Sequence, residues 1–389
     1  MTSVKHEVAE QLTTHLRNDT TDQAAEELRV PISDFVSEER AVLERDLLKR
    51  LPVIIGRSSE IAKPGNFITR EVMGIPVIVS RQSNGHAAGY VNICRHRGGR
   101  VEDAECGSKR FFTCKYHGWS YSGDGGGLRG VPYDKFYTNV DRDRNSLHLF
   151  KVEEKHGFLF ADFSSDSERN ITDWLGPEVN EQLASFDLED AAIYLDKSFT
   201  LDINWKVVLD GAIDVLHPKF LHPEGVGKLI ETNTSVWKDY GRHGQVFSPR
   251  TKMGDLIRAG EEIEAAWKLI SCNLFVYPNT MVIAAPDHVE LWTVWPDPHN
   301  ANRSTTQIRF LADAEHLASE RGQRRMAKSW EILEDAAVND DWPMELTIQQ
   351  NSEAWPDGTY LYGRNEQPCQ HLHRQLAKDL GIELDGITG

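Results

Sequence analysis

Two short stretches of the chain repeat the same pair of residue types: Cys94–Gly98 reads CRHRG and Cys114–Gly118 reads CKYHG. Each contains one cysteine followed by one histidine, and 17 residues separate His96 from Cys114. Thiolates and imidazoles are common protein ligands of zinc and iron, so two such pairs offer four ligands to one metal centre. The repeat therefore predicts that the two loops lie together in the folded chain.

Two kinds of centre are compatible with this spacing. A zinc ion would accept two thiolates and two imidazoles, but its usual arrangement places two cysteines on one knuckle and two histidines on a helix. Here each of the two stretches carries one cysteine and one histidine. A glycine, which allows a sharp turn, follows each pair, at Gly98 and Gly118. This pattern favours a [2Fe–2S] cluster in which two histidines hold one iron and two cysteines the other, with zinc as the alternative.

The surrounding sequence predicts an α+β fold in three segments. Residues 1–50 have helical spacing, and residues 51–165 contain short β-type runs separated by glycine, proline and turn signals such as Ser83-Asn84-Gly85. Residues 166–389 combine strand-like runs with a long helical pattern from Glu315 to Ala337. We therefore expect an all-β domain that carries both cysteine–histidine pairs, followed by a mixed domain.

Composition narrows the class of protein. The chain has 389 residues with 43 basic and 60 acidic side chains, and its net charge of −17 would repel nucleic acid. It has no apolar leader and no run long enough to cross a membrane, so we expect a cytoplasmic protein without a membrane partner. Five cysteines do not suggest a disulfide framework. Of these, Cys106, Cys272 and Cys369 are expected to be ordinary buried thiols.

A second group of candidate ligands follows in the sequence. Asp214, His217 and His222 form the pattern D-x-x-H-x-x-x-x-H. Two histidines and a carboxylate on one face of a metal leave its other face open to O2 and substrate, as in non-haem Fe(II) oxygenases. A polar helix end is an equally weighted interpretation of this stretch alone. Pro218 directly follows the first histidine and is expected to end a helix there.

Taken together, CRHRGGRV, CKYHGWSY and the Asp214–His222 pattern resemble the large (alpha, terminal oxygenase) subunit of Rieske non-haem iron ring-hydroxylating oxygenases. The resemblance extends from about residue 50 to about residue 350. It implies an all-β Rieske domain and a catalytic domain in which helices flank an antiparallel sheet (a helix-grip, START-like fold), with the N-terminal segment packed on the catalytic domain. One departure is Gly211, since some family members place a polar side chain near the metal in this stretch.

The resemblance also assigns the ligands. It implies that the [2Fe–2S] cluster is held by Cys94, His96, Cys114 and His117. The mononuclear Fe(II) would be held by His217, His222 and Asp341, with Asp340 as the alternative third ligand. It further implies that Asp214 is an electron-transfer bridge, which hydrogen-bonds His217 and, across a subunit interface, His117 of the neighbouring chain.

The activity implied is that of the terminal oxygenase of a multicomponent system. O2 is the co-substrate, and electrons come from an NAD(P)H-dependent reductase, with or without a ferredoxin; the chain itself lacks a nicotinamide-binding fingerprint. The first expectation is cis-dihydroxylation of an aromatic substrate, and the alternative is monooxygenation or oxidative demethylation of an aromatic or other small organic substrate. A Rieske electron carrier or redox sensor without oxygenase activity is the alternative of another class. The expected assembly is a homotrimer or larger, with or without a beta subunit.

Overall fold

The computed structural model of the protein describes residues 2–164, 168–263, 265–285 and 287–384. These residues form two compact units: one contains the described residues of 48–174, and the other contains those of 1–47 and 175–384. The domain boundaries expected from the sequence, between residues 50 and 51 and between residues 165 and 166, remain predictions. Ser165 and Asp166, on either side of the second boundary, lie outside the described residues.

Strands occur in both units. They are β1 Leu28–Pro31, β2 Val53–Arg57, β3 Asn66–Val72, β4 Ile75–Arg81, β5 Ala87–Val91, β6 Cys106–Ser108, β7 Phe111–Thr113, β8 Ser120–Ser122, β9 Leu128–Gly130, β10 Leu149–Lys155, β11 Phe158–Asp162, β12 Ala192–Leu201, β13 Val236–Tyr240, β14 His243–Pro249, β15 Ile270–Val276, β16 Thr280–Ala284, β17 Val289–Pro296, β18 Ser304–Ala312 and β19 Thr359–Tyr362.

The helices lie mainly in the second half of the chain. They are α1 Thr2–Asn18, α2 Glu38–Leu48, α3 Ile171–Ser185, α4 Trp205–Ile213, α5 Pro218–Leu221, α6 Thr251–Arg258, α7 Ala314–Ala318, α8 Glu320–Glu334, α9 Trp342–Ala354 and α10 Gln367–Leu380. A π-helical turn, Asp335–Asp341, joins α8 to α9. Short 3-10 turns span Ile32–Phe35, Ser58–Ile61, Asp134–Phe136, Val226–Lys228 and Ala266–Leu269.

The unit of residues 48–174 is an all-β structure, as the sequence predicted. Seven antiparallel strands follow the order β2–β11–β10–β5–β4–β3–β6, and β7, β8 and β9 form a second sheet. Aromatic side chains such as Phe112 and Tyr121 fill its core, and the same core cluster contains Cys94 and Cys114. The two thiols are therefore held in an apolar environment by the strands on either side of them.

The other unit is built on an antiparallel sheet with helices packed on it, which confirms the predicted fold class. Its seven strands follow the order β12–β18–β17–β16–β15–β14–β13. Helix α4 packs against α9 and β17, and α10 packs against α4 and β14. Helix α1 packs against α6 and β13. This arrangement brings α4 and α9 side by side, and the second set of candidate ligands lies in the segments that follow α4 and precede α9.

Several local expectations were wrong. The first 50 residues include a strand, β1, whose partner β19 begins about 330 residues later in the chain. Pro218 begins the short helix α5 and does not end α4, because proline at the first helical position needs no N–H partner. Cys106 is exposed, since its strand β6 lies at the edge of its sheet. Within the described parts of the chain, none of the helices has the length and apolar character needed to span a bilayer.

A buried ion pair anchors the start of α4. The Lys206 ammonium lies 2.7 Å from Oε2 of Glu44, and both side chains are at most 1% exposed. The same oxygen accepts a hydrogen bond from the Trp205 indole at 2.9 Å, while Arg40 donates to the other oxygen at 2.8 Å. Burial by itself would raise the pKa of Glu44, but the charges of Lys206 and Arg40 lower it on balance. Helix α2 thus holds the end of α4 opposite the candidate iron ligands.

Replacing Lys206 by methionine is expected to lower the free energy of unfolding by about 3–5 kcal/mol, because the substitution leaves the buried Glu44 without its nearest counter-charge. Thermal unfolding followed by circular dichroism measures the change. Lys328→Met, at an exposed lysine on α8, is the matched control and should change stability by no more than about 0.5 kcal/mol. Equal melting temperatures for the two variants would contradict this account of the α4 anchor.

Candidate metal centres

The two cysteine–histidine loops have the same backbone design. The Gly98 N–H donates to the carbonyl oxygen of Cys94, and the Gly118 N–H donates to that of Cys114, each at 2.9 Å. Both glycines have left-handed conformations, with φ values of 80° and 74°. Glycine adopts this conformation at little cost, so each loop can turn sharply after its cysteine. The loops repeat a local geometry as well as a pair of residue types.

The two histidines of these loops lie side by side, and the two cysteines belong to one core cluster. The Cys94 and Cys114 thiols are buried, and neither forms a disulfide. The rings of His96 and His117 lie 4.6 Å apart between centroids, and Trp119 stacks on His96 at 4.9 Å. The loops of the first pair and the second pair are thus brought together, as the sequence predicted.

These residues are suited to a cluster of two irons. Nδ1 of His96 is buried and has no hydrogen-bond partner, so it is available as a ligand. Burial, together with the neighbouring His117 and Arg97, lowers the pKa of His96 and favours the neutral imidazole that binds metal. Gly99 leaves room at the centre, because a Cβ atom there would lie 3.1 Å from Sγ of Cys114.

Tyr121 makes further contacts with the cysteine of the first loop. Its hydroxyl lies 3.2 Å from Sγ of Cys94 and accepts a hydrogen bond from the Arg95 N–H at 2.9 Å. Burial and the contact with Cys94 raise the pKa of the Tyr121 phenol. The phenol therefore stays protonated and is available to donate to the sulfur, which is one way in which a protein adjusts the potential of an iron–sulfur cluster.

The second candidate centre is formed by residues from two helix ends. His217 and His222 flank α5, which follows α4, and Asp341 is the last residue of the π-helical turn before α9. Ligand atoms of these three side chains all lie within 4.8 Å of one another. Among the described residues, this is the one group of three or more such side chains that closes around a single point. One carboxylate oxygen and two imidazole nitrogens are the typical protein ligands of a non-haem Fe(II) site.

Each histidine is oriented by a second carboxylate. Nδ1 of His217 lies 2.9 Å from Oδ2 of Asp214, and Nδ1 of His222 lies 2.9 Å from Oδ2 of Asp340. The other ring nitrogens face Oδ1 of Asp341: Nε2 of His217 lies 3.5 Å from it and Nε2 of His222 lies 2.8 Å from it. A carboxylate on the far nitrogen fixes the tautomer of a metal-binding histidine and raises its basicity. The role of Asp340 as such a partner was not anticipated from the sequence.

Local backbone geometry holds Asp214 in place. Asp214 caps the end of α4. Its carboxylate accepts hydrogen bonds from the backbone N–H groups of Leu216 at 2.8 Å and His217 at 3.0 Å. Burial would raise the pKa of Asp214, but these bonds and the His217 imidazole lower it on balance. For Asp341 the balance is opposite: burial raises its pKa despite the two histidines. A bound cation would offset that cost, because metal binding favours the deprotonated carboxylate.

A cavity of about 470 Å³ adjoins this centre. Its wall is formed by α4, α5, α9, β19 and neighbouring residues. The lining side chains are Phe35, Val207, Asp210, Gly211, Asp214, His217, Leu221, Asp341, Met344, Glu345, Ile348, Asn351, Tyr360, Leu361, Tyr362, Glu366 and Cys369. Apolar groups form most of the wall, and several carboxyl groups interrupt it. A cavity of this size next to a metal with an open face can hold a small organic molecule.

Two residues of the wall, Asp210 and Tyr362, belong to a polar cluster that the sequence analysis did not identify. Oδ2 of Asp210 accepts a hydrogen bond from the Tyr362 hydroxyl at 2.6 Å and lies 2.9 Å from Nε2 of His373. The three residues come from α4, β19 and α10, so no spacing in the sequence connects them. The cluster fixes α4 one turn before Asp214.

Two family models match separate parts of the chain. A family model described as Rieske [2Fe-2S] domain matches residues 52–140. A second, described as Ring hydroxylating alpha subunit (catalytic domain), matches residues 188–381. The first set of candidate ligands lies within the first match, and the second set lies within the second.

Three individual proteins illustrate the similarity. The large oxygenase component of a naphthalene 1,2-dioxygenase system from Pseudomonas fluorescens is 27% identical over 336 residues, 73% of this chain and 70% of that protein. The glycine betaine monooxygenase oxygenase subunit of Pseudomonas aeruginosa (strain UCBPP-PA14) is 23% identical over 346 residues, 79% of each chain. The structure of a quaternary ammonium Rieske monooxygenase in complex with L-carnitine has the same fold, with a TM-score of 0.76 at 17% identity over 90% of this chain and 95% of that one.

The geometry predicts that replacing Asp340 and replacing Asp341 by alanine will affect the iron content differently. Asp341→Ala should lose about one iron per chain, because it removes a ligand atom from the metal. Asp340→Ala should keep the site and weaken iron binding by about 10- to 100-fold, because it removes only the partner of His222. Iron content after dialysis measures both, and the unchanged spectrum of the [2Fe–2S] cluster is the internal control. Full iron in Asp341→Ala together with loss in Asp340→Ala would contradict the assignment.

Proposed function

This chain belongs to the family of Rieske ring-hydroxylating oxygenases, and we propose that its two sets of side chains hold the metals of that family in the following way. The [2Fe–2S] cluster is held by Cys94, His96, Cys114 and His117. The mononuclear iron is held by His217, His222 and Asp341. The observation that carries the second assignment is the convergence of three ligand atoms within 4.8 Å, each histidine having its other nitrogen on a carboxylate.

As a member of this family, the protein is an oxidoreductase and the terminal oxygenase component of a multicomponent system. Its cofactors are a Rieske cluster and a mononuclear iron, O2 is the co-substrate, and a reductase supplies the electrons. When bound, these metals store electrons and activate O2. An electron carrier without oxygenase activity is therefore not retained as an alternative.

The protein's own residues contribute orientation and charge. Asp214 accepts a hydrogen bond from Nδ1–H of His217, which leaves Nε2 of that ring as the metal ligand. Asp340 does the same for His222. The apolar wall of the cavity, with residues such as Val207 and Ile348, limits the access of water to the reacting carbon.

Asp214 is also proposed to connect two copies of the chain. A carboxylate that already binds one imidazole has further lone pairs for a second, and His117 of another copy is the partner that the family resemblance implies. Such a contact would carry electrons from the cluster of one copy to the iron of the next. A ring of copies follows from this arrangement, and a homotrimer is the smallest common form for it. A ferredoxin and a beta subunit are additional components compatible with this assembly.

Two types of hydroxylation are candidates, and each consumes one O2, two electrons and two protons. Cis-dihydroxylation places both oxygen atoms in an aromatic ring, whereas monooxygenation places one in the substrate and releases the other as water. The first is supported by the naphthalene dioxygenase relative. The second, which includes oxidative demethylation, is supported by the glycine betaine monooxygenase relative. Relatives alone therefore do not favour one of them.

The wall of the cavity favours a polar substrate over a hydrocarbon, and of the two relatives the glycine betaine monooxygenase is the one whose named substrate is polar. A pure hydrocarbon would leave the carboxyl groups of the wall buried against carbon, which costs free energy unless each has a hydrogen-bond partner. One of them, Glu345, has an oxygen without a partner. We therefore place monooxygenation or oxidative demethylation ahead of aromatic cis-dihydroxylation, reversing the order expected from the sequence.

Metal analysis is the first experiment that tests the proposal. Anaerobically purified protein should contain about three irons and two acid-labile sulfides per chain, and dithionite should produce the EPR signal of a Rieske cluster. About two irons and two sulfides, with no third iron taken up from added Fe(II), would contradict the mononuclear site. Zinc without sulfide would contradict both assignments.

A further inference from the structure

One carboxyl group in the cavity wall has no partner for its charge. Glu345 lies on α9, one turn after Asp341, and its side chain is 6% exposed. Its Oε2 atom is buried and makes no hydrogen bond. Its Oε1 atom faces Gly211, where a Cβ atom would lie 2.1 Å away. Gly211, which departs from the family pattern, thus provides the space that this carboxyl occupies.

The other carboxyl groups of the wall are already engaged. Asp210 accepts from Tyr362, and Asp214 binds His217. Asp341 faces His222, and Glu366 accepts a backbone N–H. Since these groups have their partners within the protein, Glu345 is the acid of the wall that is left to interact with an occupant of the cavity.

The charge of the wall limits what that occupant can be. Five of the lining residues are Asp or Glu, and none of the described lining residues is Lys or Arg. Burial, followed by the negative charges of Asp341 and Asp210, raises the pKa of Glu345 well above its ordinary value. An anionic occupant would be repelled by the ionised acids of the wall. A positive charge would instead be attracted by the unpartnered Glu345 carboxyl, and would favour its ionised form.

The rest of the wall suits the methyl groups of such a cation. The rings of Phe35, Tyr360 and Tyr362 line the cavity. Aromatic faces attract alkylated ammonium groups through their π electrons, and aliphatic side chains such as Leu221 and Met344 bury the adjoining carbon atoms. Acid and aromatic groups together therefore provide both the charge and the surface that a substituted ammonium needs.

We infer that the substrate is a substituted ammonium compound and that the Glu345 carboxylate binds its charged nitrogen. Gly211 makes this possible, because any side chain at that position would displace the carboxyl group. The inference rests on the proposed function, since it takes the cavity beside the iron ligands as the substrate site.

Two small probes that differ only in charge test this inference. Choline and its neutral carbon isostere 3,3-dimethylbutan-1-ol have nearly the same shape, and calorimetric titration of the anaerobic holoenzyme measures the dissociation constant of each. We expect choline to bind at least about 10-fold more tightly. In Glu345→Gln, which keeps the shape of the side chain and removes its charge, we expect the ratio of the two constants to fall close to one.

Two further variants serve as controls. Glu353→Gln makes the same chemical change at an exposed position of α9 and should leave the ratio unchanged. Glu345→Asp keeps the charge and should keep the preference for choline, although a shorter side chain weakens the binding. Equal loss of preference in Glu345→Asp and Glu345→Gln would indicate a packing defect and would overturn the inference.

The remaining outcomes separate this inference from the proposed function. If choline binds no more tightly than its isostere, or more weakly than about 10 mM, the inference is wrong. It is also wrong if Glu345→Gln leaves the ratio unchanged. When these results are obtained on protein that contains about three irons and two sulfides per chain, the oxygenase assignment stands and only the substrate class is rejected. Protein that takes up no third iron from added Fe(II) would instead contradict the proposed mononuclear site itself.

Discussion

The orientation of two imidazole rings is the constraint on which the catalytic unit depends. A histidine has two nitrogens, and a metal site forms only where the lone pair of the correct one faces the metal. Here Asp214 and Asp340 engage the Nδ1 atoms, so both Nε2 atoms point toward Asp341. The helix ends supply this geometry: α4 stops at Ile213 and frees the backbone N–H groups that hold the Asp214 carboxylate. The fold thus positions the proposed ligands without a bound metal.

The same unit must accommodate many acids in a small volume. Carboxyl groups buried in a cavity are costly unless hydrogen bonds or counter-charges compensate them. Tyr362 and His373 compensate Asp210, and Lys206 with Arg40 compensates Glu44 at the far end of α4. A divalent cation between His217 and Asp341 would add two positive charges at the point where the acids are densest. The folding of this region and its binding of metal are therefore expected to be coupled.

The sequence predicted those features that depend on a few neighbouring residues. The two cysteine–histidine loops could be recognised because each is local, with a glycine four residues after its cysteine in both cases. The choice between Asp340 and Asp341 could not be derived in this way, since a π-helical turn changes the direction in which consecutive side chains point. Strand β1 was missed because its partner, β19, is remote in the chain. The unpartnered oxygen of Glu345 likewise depends on α4 and α9 packing together.

Charge is divided unevenly between the two units. Of the 43 basic and 60 acidic residues, 19 and 15 lie between Leu48 and Trp174, which leaves the other unit with nearly twice as many acidic as basic residues. A moderately basic cluster-bearing unit and a strongly acidic catalytic unit are complementary, and complementary charge accelerates and orients association. This division favours contacts between unlike units of different copies over contacts between two acidic units. The head-to-tail ring that we propose would need that preference, because each copy in it would present its cluster to the iron site of the next.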